Sequence, residues 1–459
     1  MDWHDSYATT AAMSAIFSDQ SLLRYMCRFE AELARAQGRA GLLSAVHADI
    51  IANVAQSLVF DLPSLFETGA KSGTLALPLV KVLTQEVRNR DADAAAWVHF
   101  GATSQDVIDS ALIMQLADAL KLLDADLHRL ADGAAHLAQT HAETYMLGRT
   151  LMQPATPITF GLKASQWLLA VCESWQRLQH LAPQALCVQL GGAAGTLGSL
   201  GPKGADVAKE LASVIPFARD KSMITPVPWH TRRGALLALC SEVEILTGSL
   251  SKIARDIALM MQYEIGEARE PSEAGRGGSS AMPHKRNPVR CMLAVHAGLR
   301  TPHLVSSLMG SMIQEHERAL GGWQAEWAVI PELFKLAAGA ALNMADCLSA
   351  LDVDEDNLAR NLDALKGLPM TEQVALALAP VFGKTEAFAL VEAAAQKVSA
   401  SDLTLFDVLC GDERVITHID RATLERITTP SYALGATKDF IATALLTWEG
   451  MRISQTPSS

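Results

Sequence analysis

The sequence lacks the spacings that mark a metal centre. Its seven cysteines (Cys27, Cys172, Cys187, Cys240, Cys291, Cys347 and Cys410) are scattered, with no Cys-x-x-Cys pair and no Cys/His ligand spacing. No helical stretch carries His-x-x-x-His. A metal or other cofactor therefore has no support in the sequence, and buried thiols in a reducing compartment are expected. There is no run of about 18 uninterrupted apolar residues, so no membrane span is expected. The opening "MDWHDSYATT" has no basic region followed by an apolar run, which argues against a secretory signal and for a cytoplasmic location. Positive charge is also scarce. Lys and Arg number 38 against 50 Asp and Glu, a net charge of −12 that argues against nucleic-acid and anionic-membrane partners. Strand signals are nearly absent, and no repeat of solenoid length is found.

What is present is helical. The 459 residues, 49% hydrophobic and 19% charged, suffice for two or three domains around a large core. Leu112, Leu116, Leu120, Leu123, Leu127, Leu130 and Leu137 recur at three- and four-residue steps. Val243, Leu246, Leu250, Ile253, Ile257 and Met260 form a heptad-like stripe. Between 160 and 182, Trp167, Leu168, Leu169 and Val171 cluster in a segment apolar on all sides, which calls for cover on all sides. The predicted fold class is all-α, a bundle of unusually long helices. Breakers at 147–157, 190–204, 224–234, 275–288 and 361–373 suggest an N-terminal domain (1–107), a long-helix core (108–362) and a C-terminal domain (363–459). The final "ISQTPSS" reads as polar and frayed.

One stretch stands apart. "GRGGSSAMPHKRNPVR" (275–290) joins three glycines, a serine pair and a cluster of His284, Lys285, Arg286 and Asn287. Glycines let the backbone move. Ser279 and Ser280 bring hydroxyls and amides, Lys285 and Arg286 bring positive charge, and Asn287 brings a neutral amide. That set suits removal of a proton next to a carboxylate, where charge builds on carboxylate oxygens. A plain surface loop is the alternative. "HFGATSQDVID" (99–109) puts Thr103 and Ser104 ahead of a long helix, as an anion-binding corner or as an ordinary N-cap with Asp106 in the first turn. "QEHERALGGWQAEW" (314–327) mixes His316, Glu317 and Arg318 with Trp323 and Trp327; a solvated helix face accounts for the charges better than for the tryptophans. In "VPWHTRRG" (227–234), His230 reads as an acid/base, a carboxylate ligand or a capped loop histidine.

Together these blocks resemble the fumarase/aspartase superfamily. Its signature, roughly G-S-S-x-M-P-x-K-x-N-P, is matched by "GSSAMPHKRNP" (278–288), and H-x-G-A-T-S-x-D is matched from His99 to Asp106. "LPLVK" (77–81), "LGGAAGTLGSLG" (190–201), "PWHTRR" (228–233) and the tryptophan-rich block are similar to its carboxymuconate cycloisomerase branch. The resemblance implies a three-domain all-α fold and a homotetramer whose active sites are shared between subunits. It implies interconversion of a carboxymuconate and its lactone, within the protocatechuate branch of aromatic catabolism, on a polycarboxylate substrate and without a cofactor. By the same resemblance Ser279 is the base on a closing loop, with Lys285 stabilising its alkoxide. Lys285 and Asn287 hold the carboxylate beside the reacting carbon, with Ser280 close by. Thr103, Ser104 and Gln153 hold a second carboxylate and Arg318 a third. His99, His230 and His316 are candidates for acid/base or orienting roles.

One position departs from the family. The third block reads "GRTLMQPATP", with Leu151 where most lyases of the superfamily carry histidine and the cycloisomerase branch a bulky aromatic. A C–N lyase or epimerase acting on an amino-dicarboxylate is therefore the alternative reading. A non-catalytic structural protein is opposed by the intact Ser279, Lys285 and Asn287.

Overall fold

The computed structural model describes residues 3–214 and 227–455. The first residues of the 224–234 block and the last of the C-terminal "ISQTPSS" lie outside them. The architecture is all-α, and among the described residues five helices run 23 residues or more: α1 (Ser104–Thr140), α2 (Phe160–Ala185), α3 (Gly234–Met260), α4 (Val289–Ser311) and α5 (Gly322–Leu348). The expected stripes form their buried faces. Val243, Leu246, Leu250, Ile253 and Ile257 are fully buried along α3, as are Leu116 and Leu130 along α1. Trp167, Leu168 and Val171 are buried on α2, as an all-round apolar segment requires.

Two of these helices, α3 and α5, are long and apolar enough to cross a membrane by length and composition, although neither is an uninterrupted apolar run. More than half of each apolar window is buried inside the protein. Glu242 on α3 pairs with Arg177, and Glu326 on α5 pairs with Arg233, so both serve here as core helices.

The chain divides into two compact units, each assembled from three stretches. Unit 1 comprises residues 1–126, 174–248 and 296–342, and unit 2 comprises 127–173, 249–295 and 343–459. In unit 1 the core gathers Leu23, Met26, Phe29 and Leu33 of the helix Asp19–Arg39 with Ile51, Leu79, Leu83 and Val107. That helix starts where the Ser18 hydroxyl accepts the N–H of Ser21. In unit 2 a smaller core joins Val374, Leu378, Leu390, Val391, Leu405 and Leu424 on short helices. One of these begins with a reciprocal Thr404–Asp407 capping box.

Strands do occur, contrary to the near-absence of strand signals. Strands β1 (Tyr145–Thr150) and β2 (Gln153–Thr159) form an antiparallel hairpin between α1 and α2. The two-residue β3 (Ala268–Arg269) pairs with β4 (Asp352–Val353). Pro154 and Pro157 do break the helix, as expected; being in a two-stranded sheet, β2 has a free edge that tolerates their missing N–H groups. Pairing of Thr150 with Gln153 leaves Leu151 and Met152 as the turn, at φ 50° and 66°. Turns of this geometry ordinarily take Asn or Gly. Leu151 is 97% exposed and Met152 69%.

Candidate active site

The sequence candidates fall into two groups, one in each unit. In unit 1 the helix α1 begins at Ser104, and its third residue, Asp106, is fully buried. Asp106 accepts N–H groups from Thr103 (3.0 Å), Gly191 (3.0 Å) and Gly192 (2.9 Å), and lies 2.7 Å from His230 Nε2. One carboxylate thus fixes the 99–106 block, the glycine-rich 190–204 block and the 227–234 block. Gly192 is required here. Its φ is +69°, and a Cβ would come within 2.8 Å of the Gly101 carbonyl.

This corner is more than an N-cap. The Thr103 hydroxyl accepts from Arg318 at 2.6 Å, and Arg318 also donates to the Gly192 carbonyl at 3.1 Å. Arg318 Nε is buried with no hydrogen-bond partner. Arg318 therefore stands beside Thr103. The 314–321 part of its block is a loop ahead of α5, so the solvated-helix reading does not hold.

A second buried carboxylate, Asp109, sits one turn along α1. It accepts two N–H groups from Arg233 (2.8 and 3.1 Å), one from Trp323 Nε1 (3.0 Å) and one from Gln105 (3.1 Å). Arg233 is also bound on its other side by Glu326, with one contact at 3.0 Å. Burial works against the Arg233 charge, yet the two carboxylates raise its pKa further. Burial likewise raises the pKa of Glu326, against the pull of Arg233. Trp323 and Trp327 pack edge to face at 4.9 Å, which accounts for the tryptophans in the 314–327 block.

The three histidines differ. His230 is buried on Asp106. His99, at φ 60°, lies 2.6 Å from the buried Glu30 carboxylate. Burial would lower its pKa, but Glu30, helped by Asp106, raises it overall. His316 is exposed on its loop at φ 47°.

In unit 2 the 275–288 loop runs from the β3 region to α4. The Ser279 hydroxyl accepts the N–H groups of Met282 (3.1 Å) and Ala281 (3.4 Å). Two amides aimed at one oxygen favour negative charge on it. The loop closes on itself where Asn287 donates its N–H to the Gly277 carbonyl at 2.8 Å. Gly277, at φ +73°, leaves no room for a Cβ, which would meet the Asn287 carbonyl at 2.7 Å. Ser279 and Asn287 are half-buried, and Ser280 and Lys285 are exposed. Lys285 and Asn287 line an open cavity of about 1500 Å³ with Arg269, Arg276, Arg286 and Arg360. Gln153 is exposed on the 145–159 hairpin.

Sequence reading missed Asp109, Arg233, Glu326 and Glu30. The signal was present for two of them: an aspartate three places from a leucine-rich stripe, and a glutamate inside an apolar tryptophan block, are charges with no solvated face to occupy.

The chain matches the family model described as lyase over residues 6–300, and the adenylosuccinate lyase C-terminus model over 367–444. It is 43% identical to the 3-carboxy-cis,cis-muconate cycloisomerase of Pseudomonas aeruginosa, over 96% of this chain and 95% of that protein. It is 38% identical to the nitrosuccinate lyase of Streptomyces davaonensis, over 94% of this chain and 92% of that one. Its fold is similar to the crystal structure of 3-carboxy-cis,cis-muconate lactonizing enzyme from Pseudomonas putida, with a TM-score of 0.91, 39% identity, and 98% and 99% of the two chains covered.

Proposed function

The chain belongs to the lyase family of the fumarase/aspartase superfamily, and on that premise we propose that it interconverts 3-carboxy-cis,cis-muconate and its carboxymuconolactone. The observation that carries this reading is the Ser279 hydroxyl held by two backbone amides, on a glycine-hinged loop bordering an arginine-rich cavity. Ser279 in its alkoxide form takes the proton from the lactone carbon next to a carboxylate. The electron pair left on that carbon forms the new C=C bond, and the ring C–O bond breaks to release the internal carboxylate. Lactonisation runs the same steps backwards. A free serine hydroxyl is a weak base, so the amides of Ala281 and Met282 and the charge of Lys285 must stabilise its alkoxide where water is excluded. Loop closure about Gly275 and Gly277 supplies that exclusion.

Lys285 and Asn287, with Ser280, hold the carboxylate whose neighbouring carbon reacts. Thr103, Ser104 and Gln153 hold the second, and Arg318 the third, its unpartnered Nε supporting that role. His230 orients the corner through Asp106, while His99 and His316 are weaker acid/base candidates. The departing group is a carboxylate, so no acid is needed to protonate it, which suits leucine at 151.

The homotetramer with shared active sites belongs to this proposal. Met292 and Leu299 on α4, Leu259 on α3 and the hairpin-tip Leu151 are exposed apolar residues that partner copies would cover. A monomer by small-angle scattering would sink it. The domains 1–107, 108–362 and 363–459, a cytoplasmic location and a place in protocatechuate catabolism are parts of the same reading. Limited proteolysis cutting near 107 and 362 would support the domain boundaries.

The test is ultraviolet absorbance of 3-carboxy-cis,cis-muconate with the protein and with Ser279→Ala. Loss of the diene band with wild type alone is the expected result; loss with both overturns the serine assignment. The second reading, a C–N lyase or epimerase, is favoured by Leu151 and by the likeness to a nitrosuccinate lyase. No loss with wild type, and product formed from an amino- or nitro-dicarboxylate, would replace the first reading with the second. Leu151→His should leave lactonisation intact and add β-elimination activity; no change at all would count against the account of position 151.

A further inference from the structure

One compact group of side chains in unit 2 plays no part in the chemistry above. Cys291 lies in the first turn of α4, directly after the 275–288 loop, and Cys347 lies at the end of α5. Glu270 follows β3, ahead of the same loop. Two sulfurs and one carboxylate oxygen, one atom from each, all lie within 4.8 Å of one another. Among the described residues no other set of three His, Cys, Asp or Glu ligands is so compact. Both cysteines are fully buried, and Glu270 lines the 1500 Å³ cavity, which gives the group a route to solvent. The Glu270 carboxylate accepts the N–H groups of Arg290 (3.2 Å) and Cys291 (2.7 Å), so it ties the end of the loop back to its start. Hydrogen bonding to the Cys347 thiol, with burial and Glu270 adding, pushes the Cys291 thiol far up. Without a cation the Cys291 thiol stays protonated.

We propose that Cys291, Cys347 and Glu270 form a binding site for a soft divalent cation of the zinc class, entered from the cavity, and that its occupation holds the 275–288 loop at its base. Two thiolates and a carboxylate suit such a cation, and a fourth tetrahedral position remains for water. Each thiol gives its proton to solvent as its sulfur donates an electron pair to the cation. Binding therefore releases two protons and tightens as pH rises. The three ligands come from the segment ahead of the loop, the helix after it and the end of α5, so the cation pins all three together. The ligands are far apart in sequence, and no spacing rule would find them.

The test titrates the reduced full-length protein with cadmium, following the thiolate-to-cadmium charge-transfer absorption, and repeats it with zinc against a competing dye. One equivalent per chain is expected. Affinity should fall about tenfold or more in Cys291→Ala, Cys347→Ala and Glu270→Gln. No stoichiometric band in the wild type, or an unchanged band in the double Cys291→Ala/Cys347→Ala variant, overturns the site. Cys347→Ser, checked by circular dichroism, covers the case in which alanine disrupts folding; a folded serine variant that binds as wild type also overturns it. A turnover arm rests on the proposed cycloisomerase reaction. One equivalent of zinc should slow the wild type and not Cys347→Ala; zinc bound with turnover unchanged overturns the hold on the loop. A wild type with no turnover at all sinks the cycloisomerase reading, and the binding result is read from cadmium regardless.

Discussion

The corner of unit 1 and the loop of unit 2 are both rich in polar groups and handle them in opposite ways. Around Asp106 and Asp109 the charges are fully buried, and each carboxylate makes at least four polar contacts drawn from three separate segments. In the 275–288 loop the charges are exposed, and Ser279 is held only by amides of its own turn. Burying charges is costly unless each is paired, and once paired such a network resists any movement that would break it. An exposed loop with two positive-φ glycines changes shape at little cost. For the proposed reaction the comparison implies a division of labour: a fixed frame to hold carboxylates, and a glycine-hinged loop to bring the base.

If that division is right, the loop and the frame fail differently. Ser279→Ala should lower turnover about 10³-fold, roughly 4 kcal/mol of barrier, with the melting temperature unchanged. Arg233→Leu should do the reverse. It leaves Asp109 and Glu326 facing each other unpaired in the core, and unfolding free energy should fall by about 3–5 kcal/mol in urea titration. Asp109→Asn should cost less, about 2 kcal/mol, because the Arg233–Glu326 pair survives it. Equal losses from the two variants would show that the triad is not held as a unit around Arg233.

Arg318 lies between the two behaviours. Arg318→Ala removes its contacts to Thr103 and Gly192 and the proposed grip on a carboxylate. KM should rise roughly 30-fold, about 2 kcal/mol, with a smaller fall in kcat. A melting-temperature drop with KM unchanged would return Arg318 to the frame. The Glu30–His99 contact gives a pH signature of the frame. His99 titrates above its ordinary 6.5 when folded, so the stability from this pair is fully present below about 6.5 and is lost as pH rises through the higher folded value. Melting temperature followed against pH should show this loss in the wild type and not in Glu30→Gln.

The two regions were also unequally legible. The loop was readable because it matches the superfamily signature at adjacent positions, from Gly278 to Pro288, and the helices were readable because leucine at three- and four-residue steps has one stable placement. The frame was not. Arg233 meets Asp109 across 124 positions and Glu326 across 93, and no local pattern encodes such a meeting. Thr103 looked like an N-cap because Asp106 does occupy the first turn; only Arg318, 215 positions away, shows what its hydroxyl does. The 145–159 hairpin escaped because two prolines count against a strand, and the free edge that admits them is a tertiary fact.

Leu151 tests the comparison where the effect is smallest. A leucine at positive φ costs about 1–2 kcal/mol, which glycine at the same place avoids while giving up some chain entropy. A hairpin tip that served only as a turn would have no reason to keep leucine, 97% exposed, followed by a second strained residue. Leu151→Gly should therefore raise the stability of the isolated chain by up to about 1 kcal/mol while lowering turnover, because in the proposed function the strained apolar tip serves the shared site and the assembly. Thermal melts of dilute protein and turnover of the same sample separate the two. Higher stability with full turnover would make the strain an accident of the hairpin; lower stability would mean that the leucine side chain is buried in the assembled protein and belongs with the frame.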